Sequence, residues 1–289
     1  MYKKLLIFTV MLLLCLGQLI ASTEELEFAL FKRTVSPVMK WGENGVLTIP
    51  KATTIGRTNV YVGAMGQEAG MLNNLNLYLT SATLMAGSSE DVEIGYTRRQ
   101  LIWEDFYFTD IAMDTFHLKT RVLDFGANLL PQVALGVNGV SLVDNAFTDK
   151  RDILFNPYIA ATSKISLLGK FLEISVTGVA ETITNQGEFG PMQVSLGADA
   201  NLLSFLYVFG ELQGFNMEKP NQEVINIGAK ARLGWISAGV GMFNIMREKD
   251  VTEDIVENIM SSTFDLENAN YMASVIVQVP FGKLFAENR

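Results

Sequence analysis

Apolar and polar residues alternate one for one along "QVSLGADANL" (residues 193–202). Val194, Leu196, Ala198, Ala200 and Leu202 share one face, and Gln193, Ser195, Gly197, Asp199 and Asn201 share the other. The pattern recurs. "QVALGVNGV" sets Val133, Leu135 and Val137 against Gln132, Ala134, Gly136 and Asn138. "VINIGAKARL" sets Ile225, Ile227, Ala229, Ala231 and Leu233 against Asn226, Gly228, Lys230 and Arg232. "FHLKTRV" sets Phe116, Leu118, Thr120 and Val122 against His117, Lys119 and Arg121. Period two means β-strands with one apolar face. Nearly half the residues are hydrophobic (49%) and the mean hydropathy is positive, +0.23. Yet no apolar run after residue 22 approaches the ~18 residues of a membrane helix. Strands can present an apolar face to lipid only if they close on themselves, because hydrocarbon satisfies no open sheet edge.

The expected fold is therefore all-β: a transmembrane, antiparallel, up-and-down barrel of about twelve strands. Their spans read 58–65, 74–85, 90–102, 113–124, 131–140, 153–165, 170–182, 191–201, 204–215, 222–233, 235–245 and 270–281. The even-numbered connections are short ("AGSS", "DFGANLL", "SLLG", "LL", "G"), as periplasmic turns are. The odd ones are longer and read as outer loops: "GQEAGMLN", "WEDFYFTDIA", "SLVDNAFTDKRD", "TNQGEFG", "NMEKPN" and 246–269. In the last of these, Thr252 with the acids behind it starts a short helix. Residues 23–57 precede the barrel. Their Pro and Gly content suits a periplasmic or plug-like segment, inside or beneath the barrel, more than a lipid-facing strand.

The first 22 residues read as a secretory signal. Lys3 and Lys4 form a basic start, 5–16 an apolar core, and Ala21 and Ser22 a cleavage site. Cys15, the chain's one cysteine, falls within that signal, so the exported part has no disulfide and no thiolate site. The net charge of −9 argues against a nucleic-acid partner. The expected location is the outer membrane. At the far end, "YMASVIVQVPF" places Tyr271, Ala273, Val275, Val277, Val279 and Phe281 on one face. Ten residues at ~3.4 Å each, tilted near 40°, span roughly the 25 Å apolar band of such barrels. Tyr271 and Phe281 then sit in opposite headgroup layers, and a last strand with an aromatic near its end is what barrel-assembly machinery reads. Trp103 and Tyr107, in "WEDFYF", belong to the same aromatic belt. Residues 282–289 form a tail.

The charges mark the inner face. A Lys or Arg facing lipid at mid-depth costs about 2–4 kcal/mol. Glu93, Arg99, His117, Lys119, Arg121, Glu173, Glu181, Asp199, Lys230 and Arg232, all on polar faces, are therefore the candidate lumen lining. Two roles stay open: an eyelet of opposed charges that selects small solutes or sugar hydroxyls, or a largely closed, salt-bridged lumen. Neither needs a metal or cofactor. No G-x-S-x-G elbow, paired metal-ligand motif or phosphate-cradling loop is present. His117 is the one histidine, on an inward face, without a partner serine, so no enzyme is expected.

"NGVLTIPKATT" followed by "TNVYVGA", then "VEIGYTRR", "HLKTRVLD" and "PQVALGVNGV", resembles the YjbH-like outer-membrane proteins over residues 44–140. The resemblance implies a part in exopolysaccharide export or assembly. The sequence thus leads to a narrow channel or export component. Two alternatives stand beside it: a structural barrel without transport, and an exported soluble β-protein that binds an apolar ligand.

Overall fold

The computed structural model describes residues 44–72, 75–103, 108–125, 129–143, 153–167, 172–185, 188–202, 205–216, 224–233, 236–243 and 270–280. They form one closed antiparallel barrel. In chain order the strands are β1 (Asn59–Leu72), β2 (Leu75–Gly87), β3 (Val92–Trp103), β4 (Phe108–Leu123), β5 (Gln132–Val143), β6 (Ile153–Leu167) and β7 (Leu172–Glu181). There follow β8 (Thr184–Asn185), β9 (Glu188–Phe189), β10 (Gln193–Leu202), β11 (Leu206–Asn216), β12 (Val224–Leu233), β13 (Ile236–Phe243) and β14 (Asn270–Pro280). Twelve long strands make the wall, and the two-residue β8 and β9 form a small hairpin beside the end of β6. Each wall strand pairs with its chain neighbours, and β14 closes on β1 with Val62 opposite Val277 and Ala64 opposite Val275. No wall strand is left with an open edge, which is the condition for spanning hydrocarbon.

The phase of the alternation is the one the charges require. Phe116, Leu118, Leu135, Val176, Leu196, Ile227, Val240 and Val275 are exposed on the outer face. Their neighbours Lys119, Thr177, Ser195, Asn226 and Ser274 are buried on the inner face. The inner face is not wholly polar. Tyr61 and Met85 pack inward with Ile276 near the end where β1 begins, and Tyr158 and Phe209 face in as well.

The structure corrects some of the expected loops. "GQEAGMLN" is strand for most of its length, because β1 runs on to Leu72 and pairs Leu72 with Leu75. A bulge between Glu68 and Gly70 absorbs one residue and keeps the pairing. The weak strand propensity of Gly and Glu is overridden by the neighbouring strand. "TNQGEFG" holds the β8–β9 hairpin, with Thr184 opposite Phe189. The expected helix in 246–269, the segment 1–22 and the tail 282–289 lie outside the described residues.

Residues 44–55 do not add to the wall. They are buried by strands from several sides of the barrel, so they lie inside it. They form a tight hairpin: Gly45 bridges Pro50, the Val46 N–H donates to the Ile49 carbonyl (3.0 Å), and the Lys51 N–H to the Asn44 carbonyl (2.9 Å). The chain then turns sharply into β1 through Gly56 (φ 77°) and Thr58 (φ 59°). That turn lies so close to the end of β2 that a Cβ on Gly87 would sit 1.9 Å from the Gly56 carbonyl oxygen. Only glycine fits there. The hairpin is thus anchored at the end that carries the short turn 88–91, periplasmic in barrels of this type.

The face assignment has a direct test. Val275→Arg, at mid-strand on the outer face, is expected to cost about 2–4 kcal/mol in urea-dependent folding into lipid vesicles. Ser274→Ala, one residue away and inward, is expected to cost about 1 kcal/mol or less. Equal losses would mean the faces are assigned wrongly.

Candidate functional site

The site is the lumen wall with the hairpin held against it. Two carboxylates bind the hairpin's backbone at separate points. Glu211, on β11, takes the successive N–H groups of Leu47, Thr48 and Ile49 on Oε1 at 2.5, 2.7 and 3.2 Å. Its Oε2 accepts from the Thr48 hydroxyl (2.6 Å) and the Asn226 amide (3.2 Å). Three backbone donors converging on one oxygen make a concave anion site, here filled by the barrel's own side chain. Bonds of this kind to a charged group are the stronger class. The side-chain amide of Gln213, two residues along the same face, lies 3.0 Å from the Thr48 hydroxyl oxygen.

Glu93, on β3, binds the base of the hairpin. It accepts the Asn44 N–H on Oε1 (3.0 Å) and the Ile55 N–H on Oε2 (3.1 Å). Lys119 pairs with it at 2.8 Å and donates to the Asn44 carbonyl at 3.1 Å. His117 Nε2 lies 3.7 Å from the same carboxylate. All three wall side chains are buried.

Across the lumen, Lys51 of the hairpin pairs with Asp199 on β10. Lys230, on β12, donates to the Val46 carbonyl at 2.5 Å and stands 4.7 Å from the centre of the Phe209 ring. Thr162, on β6, accepts the Ala52 N–H at 2.9 Å. Around these bonds Val46, Leu47, Ile49 and Ala52 pack with Ala134, Tyr158, Ala160, Val179 and Phe209. The wall makes room for them: a Cβ on Gly197 would lie 2.6 Å from Ile49 Cδ1.

The structure therefore brings Glu93, His117, Lys119, Asp199 and Lys230 together around the hairpin rather than around an open eyelet. Glu181 belongs to a separate inner chain, where Asn138 donates to Asn156 (3.0 Å) and Asn156 to Glu181 (3.1 Å). Arg99 is buried on the inner face of β3, and Arg232 is buried at the end of β12. Arg121 bonds Asp91 (2.6 Å) and Asp124 (2.9 Å), which staples the turn ends of neighbouring strands. Glu173 lies 3.5 Å from Lys164, both more than a third exposed, at the same end. β3 ends at Trp103 and β14 includes Tyr271; Tyr107 and Phe281 lie outside the described residues.

Sequence reading did not single out Glu211, Gln213, Asn226, Lys51 or Asn44. The signal for Glu211 was present. It shares the period-two face of Tyr207, Phe209 and Gln213, yet the aromatic rings in "FLYVFGELQGF" hide which face is inner.

No protein-family model and no curated protein matches the sequence. Solved structures do. A KdgM porin superposes with a TM-score of 0.51 at 9% identity, over 75% of this chain and 98% of that one. LpxR from Salmonella typhimurium gives 0.45 at 8%, over 75% and 99%. Outer membrane phospholipase A from Escherichia coli gives 0.42 at 11%, over 78% and 94%. At 9% identity the likeness to the KdgM porin concerns the fold alone, and the fold of this chain is that of the outer-membrane β-barrels.

Proposed function

We propose that the chain is an outer-membrane channel closed at rest by its own hairpin, residues 44–55, and that it takes part in surface-polysaccharide export. The observation that carries the gate is the way the hairpin is held. Its backbone is bonded to charged side chains on four wall strands: Glu93, Lys119, Glu211 and Lys230. A barrel filled for good gains little from such groups, since apolar residues of similar volume in place of buried ions are often neutral or stabilising. A charged wall does suit a lumen that water enters once the hairpin leaves. Polysaccharide as the solute is supported by the resemblance over residues 44–140. Carboxylates, amides and an aromatic ring on one inner wall are also groups that bind sugar hydroxyls and ring faces. Residues 1–22 act as the export signal in this reading, and the closing strand as the mark for barrel assembly.

The competing reading is a structural barrel with a permanent filling, favoured by the apolar contacts of Val46, Leu47 and Ile49. Two measurements separate them. In planar bilayers the full chain is expected to sit at a closed baseline, and deletion of residues 44–55 to give stable conductance that added oligosaccharide interrupts. A folded but silent deletion variant would sink the channel. The second measurement uses Val46→Cys on a Cys15→Ser background. Maleimide labelling is expected to be slow, and at least tenfold faster when Glu211→Ala is added, because breaking one side of a buried charged contact costs about 3–5 kcal/mol. Unchanged labelling would favour the permanent filling.

A further inference from the structure

The outer wall carries a polar cluster that the lumen does not explain. Arg98 and Asp114 are directly opposite each other on β3 and β4, and both project outward. Arg98 Nη1 lies 3.3 and 3.2 Å from the two Asp114 oxygens. The Tyr96 hydroxyl donates to the same carboxylate at 2.5 Å, and its ring lies 5.0 Å from that of Phe116. The surroundings on the turn side are apolar and exposed: Leu84, Ile94, Phe116 and Leu118. Further along the same face the Thr80 hydroxyl donates to the Gln100 carbonyl at 3.1 Å. Tyr96 thus reaches from the greasy band up to the carboxylate. The cluster lies just beyond these exposed apolar residues, on the side away from the short turn.

We propose that Tyr96, Arg98 and Asp114 form a binding site for the phosphate of an outer-leaflet lipid headgroup. A guanidinium on a lipid-facing wall is costly unless it meets a charge. Asp114 meets half of that need. It engages Nη1 alone and fixes the plane of the guanidinium, while the Arg98 side chain stays 44% exposed. The Nε–Nη2 edge then offers two parallel N–H donors, the geometry that binds phosphate bidentately. Asp114 is only 18% exposed and its carboxylate is already engaged by Tyr96 and Arg98, which offsets its charge toward an approaching phosphate. The bulk lipid supplies such phosphates at the level where the cluster sits. This inference rests on the barrel wall and is independent of the gate.

The test is native mass spectrometry of the full chain in detergent, titrated with phosphatidic acid and separately with phosphatidylcholine. Wild type is expected to retain phosphatidic acid in preference. Arg98→Gln is expected to weaken that binding at least tenfold, and Arg57→Gln, an exposed arginine in the turn before β1, to leave it unchanged. Arg98→Lys keeps the charge and loses the fork, so it is expected to fall between; it also serves if Arg98→Gln does not reach the folded, heat-modifiable form. Equal retention by wild type and both Arg98 variants overturns the site. So does an equal loss in Arg57→Gln, which would reduce the effect to net charge. Inorganic phosphate that displaces the lipid at matching concentration would mean a free-anion site instead. Barrel dimers that vanish in Arg98→Gln would mean an interface between copies.

Discussion

Everything in this protein follows from a solvent that forms no hydrogen bonds. Backbone N–H and C=O groups in hydrocarbon must be paired within the protein, and a sheet meets that demand only when its first and last strands join. The β1–β14 pairing does so here. Once the sheet is closed, the pleat leaves no freedom about the side chains. Whatever is not facing lipid faces the lumen, and a one-residue slip would exchange the two sets. Charges that would be costly outside are thereby collected inside.

That collection creates a second demand. A narrow lumen holds few waters, and buried charges must find partners there. The chain answers with its own backbone. The hairpin offers unpaired N–H groups at Leu47, Thr48 and Ile49 to Glu211, and carbonyls at Asn44 and Val46 to Lys119 and Lys230. Each side satisfies groups that the other could not leave bare. Wall and hairpin are therefore one polar network. The apolar contacts around it set its shape, and the polar ones set its register.

The wall was legible in the sequence because period two is a local signal, clear in most strands and weakest in 204–215, where aromatic rings fall on the inner face. The start of β4 and the upper half of β1 were less so, since they depend on neighbours and not on propensity. The hairpin's position was only half legible. Glycine and proline marked the segment 23–57 as unlike a wall strand, but the bonds that hold the hairpin join residues as far apart as Val46 and Lys230, separated by 184 positions. No local pattern encodes such a pairing. Arg98 shows the opposite limit. It stands beside Arg99 in "YTRRQ", and alternation sends one inward and the other outward. A reading that assigns charges to the lumen overlooks Arg98 and its partner Asp114 on the outer face.

The turn at Gly56–Thr58 has a consequence for kinetics. It ties the hairpin covalently to the first strand by only a few residues. A hairpin pulled out of the lumen does not diffuse away; it stays at the mouth at an effective concentration on the order of millimolar, as short tethers give. Its return is an intramolecular step, with a rate that does not depend on how many barrels the membrane holds. In the proposed channel, any opening would therefore be self-terminating, with a duration set by whatever holds the tether and not by the supply of a separate plug.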